Sequence, residues 1–519
     1  MLKDLFRRKS TDELVADSEN ATHRLKKVLG PVDLTALGVG AIIGAGIFST
    51  IGTAAAGGSE HVGAGPAIVL SFALTAVACA FAALCYAEFA AMVPVSGSAY
   101  TYAYATLGEL AAWIIGWDLI IEYAIGNVAV AISWSGYFQE LLRAVGFDLP
   151  VWLGVDYRTA AQAAARITEA QAAGAGIAEL GASVERAARA FAEAPHIGGL
   201  PIIFNLPAFI IVMLITWILV IGISASARFN SAMVVLKLLI IGFFLIVGFF
   251  YINPANWTPF APNGFKGISS AAALIFFAYI GFDAVSTAAE ETRNPQRNMP
   301  IGMIASLVVS TVIYIFVAIV LTGLVPSTQL GTAEPLATAF SSLGMNWAAG
   351  VISLGAVFAT TSVLVVFQLG QPRIFFSMAR DGLLPSWAAK VHPRYRTPHI
   401  TTILTGVVVA VFAAVANINE VVELTNIGTL FAFSLVALGV IVLRRTDPDR
   451  PRPFRTPWVP VVPLLAIGMC VYLMLELPLV TWIRFGIWLL IGMVVYFFYG
   501  YRRSRTRERS ERKPDRAQP

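Results

Sequence analysis

Twelve apolar runs recur along the chain, each near or above the ~20 residues that carry one helix across a bilayer. They fall at about 32–57, 66–93, 107–142, 204–223, 229–251, 267–290, 300–324, 347–378, 400–416, 424–443, 458–476 and 481–500. Lipid offers no partner to an exposed peptide group, so a spanning chain must be helical or a closed barrel. These runs are continuous instead of alternating over ~10 residues, which selects helices. Charged residues are only 13% and hydrophobic ones 57%, whereas a soluble domain carries about 25% charged residues. The fold class is therefore an all-α polytopic membrane protein.

The basic excess, 36 Lys+Arg against 31 Asp+Glu, does not point to nucleic acid. The charges sit at the chain ends and in short loops. One set of loops carries Arg228, Arg293, Arg297, Arg373, Arg380, Arg444 and Arg445, among others, while the opposite set carries little beyond Lys266 and Arg484. The basic set belongs on the cytoplasmic side, and both basic termini join it, which requires an even number of spans. Residues 1–29 are then a cytoplasmic segment, too charged for a signal peptide and without its apolar region. Residues 30–500 form the transmembrane domain of a cell (inner) membrane protein, and 501–519 a basic tail near anionic headgroups. One long loop, 143–203, is alanine-rich and reads as a helical hairpin on the extracytoplasmic side. Its arginines do not overturn the topology, because long loops translocate largely regardless of charge.

Cys79, Cys85 and Cys470 lie in apolar runs, and the five histidines are scattered outside them. They form no metal spacing and no disulfide framework. No nucleophile elbow or zinc pair appears, so an enzyme is not expected and no cofactor is implied.

The first and sixth runs are interrupted. DLTALGVGAIIGAGIFSTIGTAAAGG holds Gly38, Gly40, Gly44, Gly46 and Gly52, and Gly281 and Asp283 break the sixth run. Glycine costs about 1 kcal/mol against alanine in a helix interior. Interrupted segments at matching places in two five-helix halves point to a transporter site. An unwound turn frees N–H groups that suit a carboxylate and carbonyls that suit an ammonium. An α-amino acid carries both. The alternative is close helix packing, since Gly40 and Gly44 also make a GxxxG spacing.

Four signatures carry a family resemblance: LKKVLGPVDLTALGVGAIIGAGIF (Leu25 to Phe48), YAEFAAMVPVSGSAYTYAYATLGELAAWIIGW (Tyr86 to Trp117), FFAYIGFDAVSTAAEETRNPQRNMP (Phe276 to Pro300) and GQPRIFFSMARDGLLP (Gly370 to Pro385). In this order they resemble the amino acid–polyamine–organocation superfamily, and within it the bacterial cationic amino acid transporter-like branch. The resemblance implies a five-plus-five inverted repeat with two extra C-terminal helices, and substrate held between spans 1, 3, 6 and 8. It places the substrate carboxylate at N–H groups of Gly44, Ala45 and Gly46. It places the ammonium at carbonyls of Ile42, Ile43, Phe277, Ala278 and Ile280. Phe276, Phe277, Tyr279 and Phe282 are core aromatics, one of which serves as a substrate lid in this fold.

Charge inside the membrane defaults to function. Lys237 lies nine residues past Arg228, roughly 13 Å of helix rise. By resemblance to proton-coupled members it is a fixed or proton-cycled cation in place of sodium; a structural ammonium is the alternative. Glu122 is a candidate for substrate contact or proton relay, or else a packed carboxyl. Asp283 can cap the second half-helix, take part in proton coupling, or both. Glu88 reads as structural or gating. Glu290, Glu291, Arg293 and Arg297 suggest a salt-bridge cluster, with Arg380 and Asp381 as further partners. From span 8, Ser353, Gly355, Phe358, Thr361 and Ser362 are expected at the side-chain pocket. The combined expectation is a secondary transporter importing L-amino acids by alternating access. The proton is the coupling ion and the bilayer the solvent. The chain is expected to work as a monomer, with substrates ranging from small neutral to cationic. An exchanger of the same fold, or a transport-deficient sensor, is the rival.

Overall fold

The computed structural model describes residues 7–8, 27, 29–58, 61–93, 98–172, 182–198, 200–221, 227–395 and 397–504. Most of the N-terminal segment, the tail beyond 504, the hairpin link 173–181, Arg396 and the side chain of Glu290 lie outside the described residues.

Helices coincide with every expected apolar run. In chain order they are α1 (Pro31–Ile42), α2 (Ile51–Ala56), α3 (Ile68–Met92), α4 (Ser98–Thr106), α5 (Glu109–Ala144), α6 (Tyr157–Ala172), α7 (Ala182–Glu193), α8 (Leu206–Ile221) and α9 (Ala227–Phe249). There follow α10 (Gly264–Ile275), α11 (Pro295–Leu324), α12 (Pro335–Ser342), α13 (Asn346–Arg380), α14 (His399–Val415), α15 (Ile418–Thr446), α16 (Val461–Leu475) and α17 (Leu479–Val495). Among the described residues, eight segments are long and apolar enough to cross a membrane, and the bent α1–α2 pair makes a ninth. Helices α8, α14 and α16 are apolar but shorter, at 15 to 17 residues. Two helices fall in stretches read as loops: α4, and α12, which starts at Pro335 behind Glu334.

Burial follows position. The sixth-span segment Gly264–Ser286 is 94% buried in its most apolar window, against 22% for Leu479–Arg503. The sixth span is thus the axis of the bundle and α17 faces lipid. Around that axis α5 packs along α13, α3 along α11, and α1 against α11 and α9.

Both described chain ends meet at Glu109. Its backbone N–H donates to Arg7 O at 3.0 Å, and Ser504 Oγ and Tyr496 Oη donate to its carboxylate. The face holding Glu109 therefore carries both ends of the described chain. Glu88 is tied down by a separate set of bonds. Arg444 grips it with two 2.8 Å bonds, Thr456 N donates at 2.8 Å, and Arg452 Nε sits 3.4 Å away. Glu88 thus joins α3 to α15 and to the α15–α16 loop, a structural role.

The expected cluster around Arg293 takes another form. Among the described residues no ion pair joins Glu291, Arg293 and Arg297. Instead Leu29 N donates to Glu291 O at 3.0 Å and Arg293 N to Leu29 O at 2.9 Å, a backbone clasp. Asp381 accepts from Tyr100 Oη at 2.8 Å.

In the 143–203 loop α6 packs on α7 over a small core of Ala160, Ala190, Ala194 and Ile203. Arg158 pairs with Glu420 at the start of α15, and Arg484 of α17 reaches the same carboxylate at 2.9 Å. The hairpin is thereby pinned to the bundle.

Candidate substrate and coupling site

The first span breaks after Ile42. Ile43 is extended (φ −76°, ψ 95°), Gly46–Thr50 follows as a wide π-helical turn, and the two halves are bent by 41°. The sixth span tightens into a 3₁₀ turn at Phe276–Tyr279, opens at Ile280 (φ −60°, ψ 131°) and Gly281 (φ +124°), and resumes as 3₁₀ helix at Asp283–Glu291. Gly281 occupies backbone space that L-residues rarely enter, and a Cβ there would lie 2.8 Å from the Ala41 carbonyl carbon. A Cβ on Gly46 would lie 2.2 Å from Ala278 Cα. The two breaks therefore cross with backbone against backbone. Close packing explains a different glycine: a Cβ on Gly40 would stand 2.5 Å from Val234 on α9. The glycine-rich run thus serves a helix break that crosses the sixth span at Gly46 and close helix packing at Gly40.

Breaking a helix orphans its last carbonyls, and in a membrane these need protein partners. Three side chains supply them. Lys237 Nζ, on α9 and 2% exposed, donates to Gly40 O at 2.8 Å. Tyr314 Oη, on α11, lies 2.8 Å from both Ile42 O and Ala278 O, bridging the two breaks with one hydroxyl. Asn426 Nδ2, on α15, donates to Ala273 O at 2.8 Å and Leu274 O at 2.9 Å, at the end of α10. Of the three, only Lys237 stands out in the sequence as a charge. Tyr314 reads as one more aromatic, and Asn426 as one polar residue in ELTNIGTLFAF.

A cavity of about 110 Å³ adjoins the breaks. Ala41 of α1, Tyr123 of α5, Gly281 and Ala284 of the sixth span, and Ser362 and Phe367 of α13 line it. These are spans 1, 3, 6 and 8. Among the described residues no carboxylate lines it. The expected backbone residues Ile42, Ile43, Gly44, Ala45, Gly46, Phe277, Ala278 and Ile280 are all buried, and none of them is among the residues that line it. Several of their groups are engaged: Gly44 O accepts from Phe48 N at 3.2 Å, Phe277 O from Ile280 N at 3.4 Å, and Ile42 O and Ala278 O from Tyr314.

The carboxyls turn away from the cavity. Asp283 folds back to accept Gly281 N at 3.1 Å, holding the break in shape. Glu122 is buried and does not line the cavity. One turn earlier, Asp118 is fully buried with neither carboxyl oxygen partnered, against Gly428. Among the described residues no group of acids, histidines and cysteines is placed to hold a metal ion.

Of the span-8 residues expected at the pocket, Ser362 lines the cavity. Phe358 is instead 44% exposed toward lipid, Thr361 accepts from Trp134 Nε1 at 2.9 Å, and Gly355 packs on Ile240. A helix nearly as long as α13 shows its residues to every side, and sequence alone does not reveal which stripe faces the cavity. Among the aromatics, Phe276 and Phe282 pack on Phe433, and Tyr279 on Phe72 and Tyr314.

Residues 29–503 match the family model described as Amino acid permease. The chain is 47% identical to the branched-chain amino acid permease BcaP of Bacillus subtilis (strain 168), over 97% of this chain and 99% of that one. It is 44% identical to the methylthioribose transporter of the same organism, over 97% and 99%. It is 30% identical to the Homo sapiens cationic amino acid transporter 4, over 93% and 89%. The expectation of a membrane transporter and not an enzyme stands, and the chain belongs to the amino acid permease family of the amino acid–polyamine–organocation superfamily.

Proposed function

We propose that this permease imports neutral, apolar L-amino acids into the cell by alternating access, driven by protons, with Lys237 as the coupling cation. The observation that carries this reading is the 2.8 Å bond from Lys237 Nζ to Gly40 O. Gly40 is in the last turn of α1, where the helix dipole presents partial negative charge. A cation is stabilised there, and the protein supplies its own.

In this reading the substrate carboxylate meets N–H groups of Gly44, Ala45 and Gly46. The ammonium meets carbonyls of Ile42, Ile43, Phe277, Ala278 and Ile280. Tyr314 presets two of those carbonyls and gives way as the ammonium arrives. Glu122 and Asp283 assist coupling from behind the cavity. The side chain enters a space walled by glycine, alanine, valine and aromatic residues without a carboxylate, which favours an aliphatic side chain over a guanidinium. The likeness to a branched-chain permease supports the same choice.

Twelve crossings, both termini in the cytoplasm and the α6–α7 hairpin outside follow from the basic loops, and the meeting of both ends at Glu109 supports an even count. A panel of amino acids in a thermal-shift assay tests substrate class, because stabilisation follows RT ln(1 + [L]/Kd). Leucine, isoleucine and valine are expected to stabilise the protein. Stabilisation by arginine and lysine alone would contradict the neutral assignment.

A further inference from the structure

A groove of about 740 Å³ opens on the flank of α11, outside the transport path. Arg297, Ile301, Ile304 and Val308 line it at i, i+4, i+7 and i+11, one continuous stripe of the helix. Pro453 and Phe454, from the α15–α16 loop, form the other wall near its mouth. Ile301 is 41% and Val308 55% exposed, so among the described residues the stripe is left largely uncovered.

The groove is polar at one end only. Asn294, Gln296 and Arg297 sit together at the start of α11, and all three are exposed. Among the described residues the Arg297 guanidinium has no hydrogen-bond or ion-pair partner. Arg293 and Arg455, next to the rim in the chain, are exposed as well. From Arg297 to Val308 the helix rises roughly 16 Å, about half of a ~30 Å hydrocarbon core. A cationic head over an apolar slot one leaflet deep matches one ligand shape.

We propose that this groove is a binding site for one anionic phospholipid. Its phosphate meets Arg297, whose planar fork suits phosphate oxygens, with the amides of Asn294 and Gln296 beside it. One acyl chain lies along Ile301, Ile304 and Val308 under Phe454. Bulk lipid tails are as apolar as the slot, so the slot sets shape and the headgroup charge sets preference. A soluble phosphate compound would use only the polar end and leave the stripe unused. The site holds whichever leaflet the start of α11 faces, and it does not rest on the transport reading.

Native mass spectrometry of the purified full chain, titrated with phosphatidylglycerol or phosphatidylcholine, tests the proposal. Wild type is expected to retain one phosphatidylglycerol adduct in preference to phosphatidylcholine. Arg297→Gln is expected to bind it about tenfold more weakly, the scale of one lost charge-assisted hydrogen bond. Ile304→Trp, which fills the slot and leaves the head intact, is expected to lose the adduct too while the protein stays monodisperse. Equal retention of the two lipids by wild type would overturn the proposal, as would undiminished binding by Arg297→Gln. Displacement of the lipid by matched concentrations of glycerol phosphate would show a soluble-anion site and would also overturn it.

Discussion

Lys237 Nζ reaches across from α9 to the Gly40 carbonyl of α1 at 2.8 Å, with 2% of the lysine exposed. The contact exists because Gly40 has no side chain: a Cβ there would stand 2.5 Å from Val234, one turn before Lys237. A hydrogen bond to a charged group contributes about 1.5–3 kcal/mol, so the lysine and the break it caps are coupled.

Gly40→Val wedges α1 from α9. Overpacking of this kind costs about 1–3 kcal/mol, and the larger effect falls on function, because Lys237 is pulled off its carbonyl. Purified Gly40→Val is expected to fold with a lowered Tm and to lose most pH-gradient-driven uptake. Uptake equal to wild type would separate the Lys237–Gly40 contact from transport.

Tyr314 bridges Ile42 O and Ala278 O. Tyr314→Phe keeps the ring that packs on Phe72 and Tyr279 and removes only the hydroxyl. The net loss is about 1 kcal/mol of stability, with two carbonyls left unclasped. KM for the substrate is expected to rise by several-fold, toward tenfold for 1.4 kcal/mol of lost preorganisation, with a smaller change in maximal rate. An unchanged KM would show that Tyr314 serves packing alone.

Arg444→Ala leaves Glu88 buried with its two-pronged partner gone. Thr456 N and Arg452 stay beside the carboxylate, so the loss falls below the ~3–5 kcal/mol of a fully stranded buried charge, and an apolar replacement of both partners costs less again. Thermal unfolding in detergent is expected to show a large drop for Arg444→Ala and a smaller one for Glu88→Leu/Arg444→Met. Equal drops would mean that the pair adds nothing beyond packing.

Asp156, ahead of α6, accepts Thr159 N at 2.9 Å, and burial lifts its carboxyl from 3.8 to about 6. The folded loop holds a proton that the unfolded chain releases, so the protonated form favours folding. That stability is complete below 3.8 and is lost as pH rises through about 6. Hydrogen exchange over Tyr157–Ala172, corrected for intrinsic rate, is expected to show firmer protection at pH 5 than at pH 7. Asp156→Asn should flatten the difference. Equal protection at both pH values in wild type would contradict the assignment.

The helical framework was legible because lipid permits few alternatives: apolar length alone located every run, and the glycine-rich first run together with Gly281 and Asp283 of the sixth located both breaks. Lys237 was legible as an ammonium too deep to be incidental. Tyr314 and Asn426 were not, because a tyrosine or an asparagine in an apolar helix has no spacing that tells a carbonyl cap from ordinary helix-to-helix glue. Their roles depend on rotation of α11 and α15 against α1 and α10, which only tertiary packing fixes. The same limit separated Ser362 from Phe358 on α13. The Glu291–Arg293 stretch was misread for another reason: charge proximity in sequence suggested side-chain pairing, whereas the backbone of Leu29 takes that place.

The most direct test of the account is leucine uptake into sodium-free proteoliposomes under an inward proton gradient, comparing wild type with Lys237→Ala. The account predicts concentrative uptake by wild type that collapses with a protonophore, and loss of that uptake in Lys237→Ala while the purified variant remains folded. Full gradient-driven uptake by Lys237→Ala, or wild-type uptake that requires sodium and ignores pH, would contradict it.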